Sequence, residues 1–201
     1  KSTVCLARGS KGGRGDIVYA VDHHRGSAEH VSSLGKIDTE VEFRRNLERA
    51  SVSDVVVPLV MSSREAASIW SKRPAPIRLL WIDGSHDYSS VTEDIDLWNR
   101  FLVHGGVICF HDFTHYPGIR RAVRERIICS TSFAEVDLHG SILLARRRMT
   151  TSPLQVFQNV FAYILLIWIK PLAWRLICGS RRLIGAARSL NWALSRRHGE
   201  L

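Results

Sequence analysis

The sequence predicts an α/β fold in which helices cover both faces of a doubly wound, mostly parallel sheet. Two short apolar runs, residues 79–82 and 107–110, each end at acidic or imidazole side chains. Apolar runs of this length bounded by turn residues are typical of buried parallel strands. Segments with helical periodicity alternate with such runs along the chain, and this alternation favours a doubly wound sheet.

The first half of the chain alternates helices with strands. In order, we predict a helix at 2–8, a loop at 9–15, a strand at 17–21, a helix at 39–50, a strand at 55–60, a helix at 63–70 and a loop at 71–76. Helical periodicity places Val41 and Leu47 on the inward face of their helix, opposite charged residues. Ser62 or Ser63 is the expected N-cap of the next helix, with Glu65 in its first turn.

The second half continues the alternation and ends in two strands that follow each other closely. In order, we predict a strand at 77–82, a helix from 89 or 90 to 102, a strand at 107–110, a helix at 117–128, and strands at 133–136 and 141–145. Val91, Ile95 and Trp98 recur on one helical face. We expect Gly105-Gly106 and Gly140 to form turns, which makes the last two strands a hairpin.

The charge of the chain is concentrated at its C-terminal end. The 201 residues are 45% hydrophobic and carry a net charge of +9, so a packed core is expected and wholesale disorder is not. Residues 1–150 carry +3, whereas residues 151–201 carry +6 with Glu200 as their one acid. We therefore expect a domain at 1–148 and a separate basic amphipathic helical tail at 149–201.

The tail has the composition of a segment that lies on a membrane surface. The apolar run 160–169 is shorter than the roughly 20 residues that a membrane-spanning helix needs. Beyond it, leucines recur at helical spacing among arginines, with Trp174 and Trp192. This pattern predicts contact with an anionic membrane surface through 154–197. Packing on the domain, contact with a second copy in a homo-oligomer, and binding of another polyanion remain alternatives, and we expect no nucleic-acid partner.

None of the four cysteines has a metal-ligand spacing, so we expect reduced thiols. Reduced thiols indicate a cytoplasmic protein, which could be peripheral to the membrane.

An acidic residue, Asp22, follows the predicted strand at 17–21 directly. A carboxylate at such a strand end can accept hydrogen bonds from both ribose hydroxyls of a nucleotide-type cofactor. The alternative is a solvated aspartate with no ligand. His23 and His24 follow, and each by itself is expected to be an exposed loop histidine.

A second set of polar residues, Asp83, His111 and Asp112, follows two strands that we expect to be neighbours. Carboxylate oxygens suit Mg²⁺, and a bound metal ion can lower the pKa of a substrate hydroxyl. His111 could instead ligate a softer ion or act as a general base. His86 lies in the turn after Asp83 and is a candidate base. The alternatives are that Asp83 and Asp112 cap helices or turns and that His86 stabilises its turn.

These segments resemble a known family. The resemblance rests on Asp83-Gly84-Ser85-His86-Asp87-Tyr88, on Leu97-Trp98 at a helix end, and on the run from Gly105-Gly106 to His111-Asp112. Together they resemble class I S-adenosylmethionine-dependent methyltransferases, especially the small-molecule and sugar O-methyltransferases. Residues 1–7 are similar to the helix start after that family's glycine-rich loop, and residues 18–22 to its second strand. The resemblance covers about residues 1–146.

The resemblance implies a Rossmann-like sheet with a terminal β-hairpin that binds S-adenosylmethionine. It implies that Asp22 and Asp83 contact the cofactor, that Asp83, His111 and Asp112 can hold Mg²⁺, and that Asp112, His111 or His86 deprotonates the acceptor. The acceptor would be a hydroxyl of a sugar, a glycolipid or a small metabolite. The family's first strand and glycine-rich loop are missing from this sequence, so weak or no cofactor binding by this chain is expected.

Two other functions stay open at this point. Lys1-Ser2-Thr3 could end a P-loop, with Asp83 helping to hold Mg²⁺ as in P-loop NTPases. Residues 9–15 lack the order of such a loop and are expected to be a solvated connector. The third possibility is a non-catalytic Rossmann-like domain that its tail attaches to a membrane or a partner.

Overall fold

The computed structural model describes residues 1–26, 38–72, 74–149 and 152–169 and has the predicted α/β fold. Its helices are α1 (Ser2–Gly12), α2 (Glu40–Arg49), α3 (Ser63–Lys72), α4 (Tyr88–Trp98), α5 (Pro117–Val123) and α6 (Pro153–Ile164). Its strands are β1 (Val18–Val21), β2 (Val56–Leu59), β3 (Ile77–Ile82), β4 (Leu102–Phe110), β5 (Phe133–His139) and β6 (Ile142–Arg147). Helices and strands alternate as far as α5, and the two final strands form the predicted hairpin.

The strands form two hydrogen-bonded groups. β1 and β2 pair in parallel, and β3 pairs in parallel with β4. β6 lies antiparallel between β4 and β5, so the second group has the order β3-β4-β6-β5. Within the described residues, β1 and β3 therefore each have one edge with no strand beside it. The Arg78 guanidinium of β3 reaches across to the Asp16 carboxylate before β1 at 2.5 Å.

Two glycine-containing segments that were predicted to be loops or turns lie partly or wholly inside regular elements. The predicted loop at 9–15 is wrong in its first part, because α1 continues to Gly12. Its last turn is held by the Lys11 ammonium, which donates to the Ser51 carbonyl at 2.9 Å and to Asp54. The predicted turn at Gly105-Gly106 lies inside β4, where the register against β3 shifts, so the glycines form an irregularity within a strand.

Two predicted helices are shorter than expected. The helix predicted to reach residue 102 ends at Trp98 and continues as a 3-10 turn, Asn99–Phe101, because Leu102 already pairs with Ile77 of β3. The helix predicted at 117–128 is α-helical only to Val123 and continues as a π-helical turn, Arg124–Ile128.

The core lies between the four-stranded group and the helices α4 and α5. Phe110, Phe113 and Phe133 are fully buried there. Val91, Ile95 and Trp98 are buried on one face of α4 as predicted. A smaller cluster under α1, α2 and β2 contains Ala7, Leu47, Val52, Val55 and Val56. Val41, which was predicted to face inward, is exposed.

Local capping fixes the starts of α3 and α4. Ser62 and Glu65 form a capping box, in which the Glu65 carboxylate accepts from the Ser62 N–H at 2.9 Å and the Ser62 hydroxyl accepts from the Glu65 N–H at 3.2 Å. The Asp87 carboxylate caps α4 by accepting from the Ser90 N–H at 2.9 Å. Both caps lie in loops that follow strands, so they hold the loops at the carboxyl end of the sheet.

The last described helix, α6, packs on β5. The buried Asn159 amide donates to the Phe133 carbonyl at 2.7 Å, and the ring of Tyr163 lies 6.1 Å from that of Phe113. No helix among the described residues is long and apolar enough to cross a membrane. Most of the predicted amphipathic tail, from residue 170 onward, lies outside the described residues.

Candidate active site

The adjacent ends of β3 and β4 bring three of the predicted site residues together. Ile82 is paired with Phe110 in the parallel register, so Asp83 follows one strand where His111 and Asp112 follow the other. The backbone N–H of His111 donates to the Ile82 carbonyl at 3.0 Å, and this bond holds the ends of β3 and β4 together. This is the end of a parallel sheet at which α/β folds bind ligands.

His111 lies between two carboxylates. Its Nδ1 is 3.0 Å from Oδ1 of Asp83 and 3.1 Å from Oδ2 of Asp112. Nδ1 is solvent-excluded, yet its approach to the carboxylates lacks hydrogen-bond geometry, and no other described residue bonds to it. One ligand atom from each of the three side chains lies within 4.8 Å of the others, a spacing that could hold a metal ion.

Asp112 adopts a backbone conformation that non-glycine residues rarely use. Its φ is +51°, in the left-handed region, which aspartate and asparagine tolerate better than most residues. The Asp112 carbonyl accepts from the His115 N–H at 2.9 Å in the turn that follows. Backbone strain of this kind is concentrated at functional sites, and here it accompanies a carboxylate that faces the cluster.

Two more histidines lie near the Asp112 carboxylate. His86 Nε2 is 3.7 Å from Oδ2, and His115 Nδ1 is 3.5 Å from Oδ1. His86 is stacked on Tyr116 with ring centroids 3.8 Å apart. His115 was missed in the sequence, although its position three residues after Asp112 could have indicated it. Three imidazoles therefore surround one carboxylate.

Asp83 is held from its other side by α1 and by its own strand. Its Oδ2 accepts from the Ser2 hydroxyl at 2.6 Å and from the Trp81 indole N–H at 3.3 Å, while Oδ1 faces His111. Sequence reasoning missed both donors. Trp81 could have been found from its position two residues before Asp83, because side chains at i and i+2 point to the same side of a strand.

A partly buried carboxylate, Asp94, lies behind the turn after Asp83. Its Oδ1 accepts from the Ser63 hydroxyl at 2.5 Å, and that hydroxyl in turn accepts from the Trp98 indole N–H at 2.8 Å. A side-chain carbon at Gly84 would lie 3.4 Å from Asp94 Oδ2, so the turn packs closely on it. Burial raises the pKa of Asp94, and this network links α3, α4 and the site turn.

Asp22 lies at the end of β1, apart from the cluster of Asp83, His111 and Asp112. Its N–H donates to the Leu59 carbonyl at 3.2 Å, and its Oδ1 accepts from the His24 N–H at 2.8 Å. The side chain is 59% exposed. A cavity of about 420 Å³ next to this strand end is lined by His23, Arg25, Val60, Met61, Ser62 and Glu65. Space for a ligand thus lies beside Asp22.

His24 is not the exposed loop histidine that was expected. It is buried, with its Nδ1 3.1 Å from the Thr39 hydroxyl oxygen and its ring 4.9 Å from that of Phe43. Both partners lie on the far side of a long connection, which is why local sequence did not indicate the burial. His23 remains exposed, and its Nδ1 accepts from the Arg25 N–H.

A family model described as a methyltransferase domain matches residues 1–113, more than half of the chain. The chain belongs to this methyltransferase family. The match decides against the P-loop alternative, because it covers Lys1-Ser2-Thr3, β3 and Asp83 together. It also confirms the family resemblance that the sequence motifs indicated.

Solved structures share the fold of this methyltransferase-family chain. The O-methyltransferase NovP matches 73% of the chain over 66% of its own length, with a TM-score of 0.57 and 17% identity. An O-methyltransferase from Bacillus cereus, solved in complex with SAH, matches 73% over 69% of its length, with a TM-score of 0.51 and 20% identity. CalS11, a TDP-rhamnose 3′-O-methyltransferase, matches 71% over 66% of its length, with a TM-score of 0.53 and 13% identity. The chain spans about two thirds of the length of these proteins.

Proposed function

We propose that the protein transfers the methyl group of S-adenosylmethionine to a hydroxyl oxygen of a sugar, a glycolipid or a small metabolite. The observation that carries the proposal is the cluster of Asp83, His111 and Asp112 at the carboxyl ends of β3 and β4. Membership of the methyltransferase family supports the reaction class, and the fold is shared with O-methyltransferases.

The cofactor, when bound, supplies an electrophilic methyl group. In this proposal Asp22 accepts the ribose hydroxyls. Oδ1 of Asp22 already accepts one N–H from the backbone, and the side chain is exposed enough for the carboxylate to accept from a ligand. The neighbouring cavity, lined by Met61 and Ser62 among others, has room for the rest of a nucleoside. Asp83, which follows β3, is the second residue that would contact the cofactor in this proposal.

The acceptor hydroxyl must lose its proton as the new bond forms. Asp112 and His111 are the proposed bases, because both face the same small volume at the end of β4. His86 and His115 flank Asp112 and can take part in removing the proton to solvent. Holding the acceptor oxygen in line with the methyl group supplies much of the acceleration in such a transfer.

The residues of the cluster fit a divalent metal ion. Asp83 and Asp112 would each provide a carboxylate oxygen, and His111 would provide Nδ1. This nitrogen is excluded from solvent and makes no hydrogen bond of good geometry. A bound ion would lower the pKa of the acceptor hydroxyl. The two carboxylates suit Mg²⁺ or Mn²⁺, whereas the nitrogen ligand suits a softer ion such as Zn²⁺, so metal identity is part of what must be tested.

Asp112→Asn tests the proposed base. Asparagine is also tolerated in the left-handed region, so this variant should keep the backbone at residue 112. With the family's first strand and glycine-rich loop supplied ahead of Lys1, the variant should transfer radiolabelled methyl groups to hydroxyl acceptors about 10² to 10⁴ times more slowly than the wild type, while still binding S-adenosylmethionine. Asp96→Asn, which removes an exposed carboxylate that pairs with Arg126, is the matched control and should keep wild-type turnover. Wild-type turnover in Asp112→Asn would refute the assignment.

A further inference from the structure

The outward face of α6 is an apolar stripe. Leu154, Phe157, Phe161 and Ile164 are 64%, 67%, 54% and 45% exposed. Their spacing of three, four and three residues places all four on one side of the helix. A contiguous exposed apolar surface of this kind is unusual on a soluble monomer and marks an interaction site.

The stripe lacks the charged residues that a solvent-facing helix carries. No Asp, Glu, Lys or Arg lies between Arg148 and Lys170 in the sequence. On the exposed side of α6, Gln158 is the polar residue that interrupts the stripe. An ordinary surface helix has charged and polar residues on the face that it turns to water. The exposed side of α6 is therefore built for contact with something apolar.

The opposite face of α6 is fixed to the domain, so the stripe cannot turn inward. The Asn159 side chain is buried and donates a hydrogen bond to the Phe133 carbonyl. Tyr163 packs on Phe113, the residue directly after Asp112. Rotating the helix to bury Phe157 and Phe161 would expose these contacts and leave the Phe133 carbonyl without its donor.

The chain that follows α6 indicates the occupant. From Lys170 to the end, the sequence carries seven basic residues and one acid, Glu200, interspersed with leucines and two tryptophans. An apolar stripe followed by basic sequence is complementary to a surface that is both apolar and anionic, which a bilayer with acidic headgroups provides. A second copy would bring two basic segments together, and a water-soluble polyanion would leave the stripe uncovered.

We propose that the stripe of Leu154, Phe157, Phe161 and Ile164 docks on an anionic lipid bilayer, and that the basic sequence after α6 adds its positive charge to this binding. Since α6 is packed on the domain through Asn159 and Tyr163, docking would hold the site at a set orientation to the membrane. The docking needs neither cofactor nor acceptor, so it can fail or succeed independently of the proposed methyl transfer.

The test is sedimentation of the full chain with vesicles of phosphatidylcholine alone or of phosphatidylcholine with phosphatidylserine. We expect binding to the phosphatidylserine vesicles that weakens at high salt. Replacing Phe157 and Phe161 together by serine should weaken binding at least about tenfold, because two large apolar side chains no longer enter the interface. Ile69→Ser on α3 is the matched control, since Ile69 is 56% exposed, and it should bind as the wild type does. Replacing Arg181 and Arg182 by serine should weaken binding about fivefold for each charge removed.

Several results would overturn the proposal. Equal binding of the wild type and of the Phe157/Phe161 variant would show that the stripe does not contact the membrane. Failure of the wild type to bind either kind of vesicle would show the same. A dimer in light scattering that the variant converts to monomer would assign the stripe to contact between copies. A melting temperature of the variant well below that of Ile69→Ser would show that the stripe is covered within the chain itself.

Discussion

Gly118 is the position where the smallest change should disturb the site most. It lies in the first turn of α5, against the turn that carries His86 and leads into α4. A side-chain carbon at Gly118 would lie 2.5 Å from the His86 carbonyl oxygen and 2.8 Å from the Tyr88 nitrogen. Both are backbone atoms, so Gly118→Ala must push α5 and the turn apart.

The expected cost follows from these contacts. Overpacking of this kind costs about 1–3 kcal/mol. Alanine's better helix propensity offsets up to about 1 kcal/mol of it. The net loss should lower the melting temperature by several degrees, since about 1 kcal/mol corresponds to roughly 2–4 °C in a domain of this size. The same displacement would separate His86 from Tyr116 and from Asp112.

Gly9→Ala is the matched control for this prediction. Gly9 is also helical, in α1, but a side-chain carbon there would meet nothing within 4 Å. This variant should gain about 0.5–1 kcal/mol from helix propensity. Differential scanning calorimetry should therefore show shifts of opposite sign for one chemical change at two positions. A Gly118→Ala protein that melts at or above the wild-type temperature would refute the close packing of α5 on the site turn.

Two further predictions concern carboxylates near the site. Burial raises the pKa of Asp94, so the native state holds this proton more tightly than the unfolded state and loses stability as the pH rises from acidic to neutral. The Asp94→Asn variant should therefore be more stable than the wild type at neutral pH, as measured by urea unfolding. Equal or lower stability of the variant would contradict this reasoning. Hydrogen bonds from the Ser89 hydroxyl and the Ser90 N–H lower the pKa of Asp87. The ionised Asp87 carboxylate therefore stabilises the folded protein at neutral pH, and this stabilisation is lost in strong acid. Asp87→Ala should cost about 1 kcal/mol at neutral pH and less in acid, and a pH-independent cost would exclude the ionised cap.

The central site was predictable because it depends on local features of the sequence. Apolar runs that end in Asp83 and in His111-Asp112 indicate two strands, and neighbouring parallel strands place their ends side by side. Likewise, Asp22 directly follows its strand. In each case the decisive residue adjoins the element that positions it.

The rest of the site depends on contacts between residues far apart in sequence. Ser2 reaches Asp83 because α1 begins beside the end of β3. His24 is buried by Thr39 and Phe43, which local sequence around His24 does not indicate. Gly105 and Gly106 resemble a turn signal, but pairing of β4 with β3 on either side carries the strand through them. Tertiary packing overrides local propensity at these positions.

The most direct test of the proposed function is calorimetric titration of S-adenosylmethionine into the protein with the family's first strand and glycine-rich loop supplied ahead of Lys1, with and without Mg²⁺ or Mn²⁺. We expect saturable binding that Asp22→Asn weakens, and a separate heat of metal binding that disappears in Asp83→Asn. Absence of cofactor binding under every metal condition would contradict methyl transfer and would leave a non-catalytic member of the family. Cofactor binding with no metal effect would keep the transfer and assign the deprotonation to Asp112 and His111 alone.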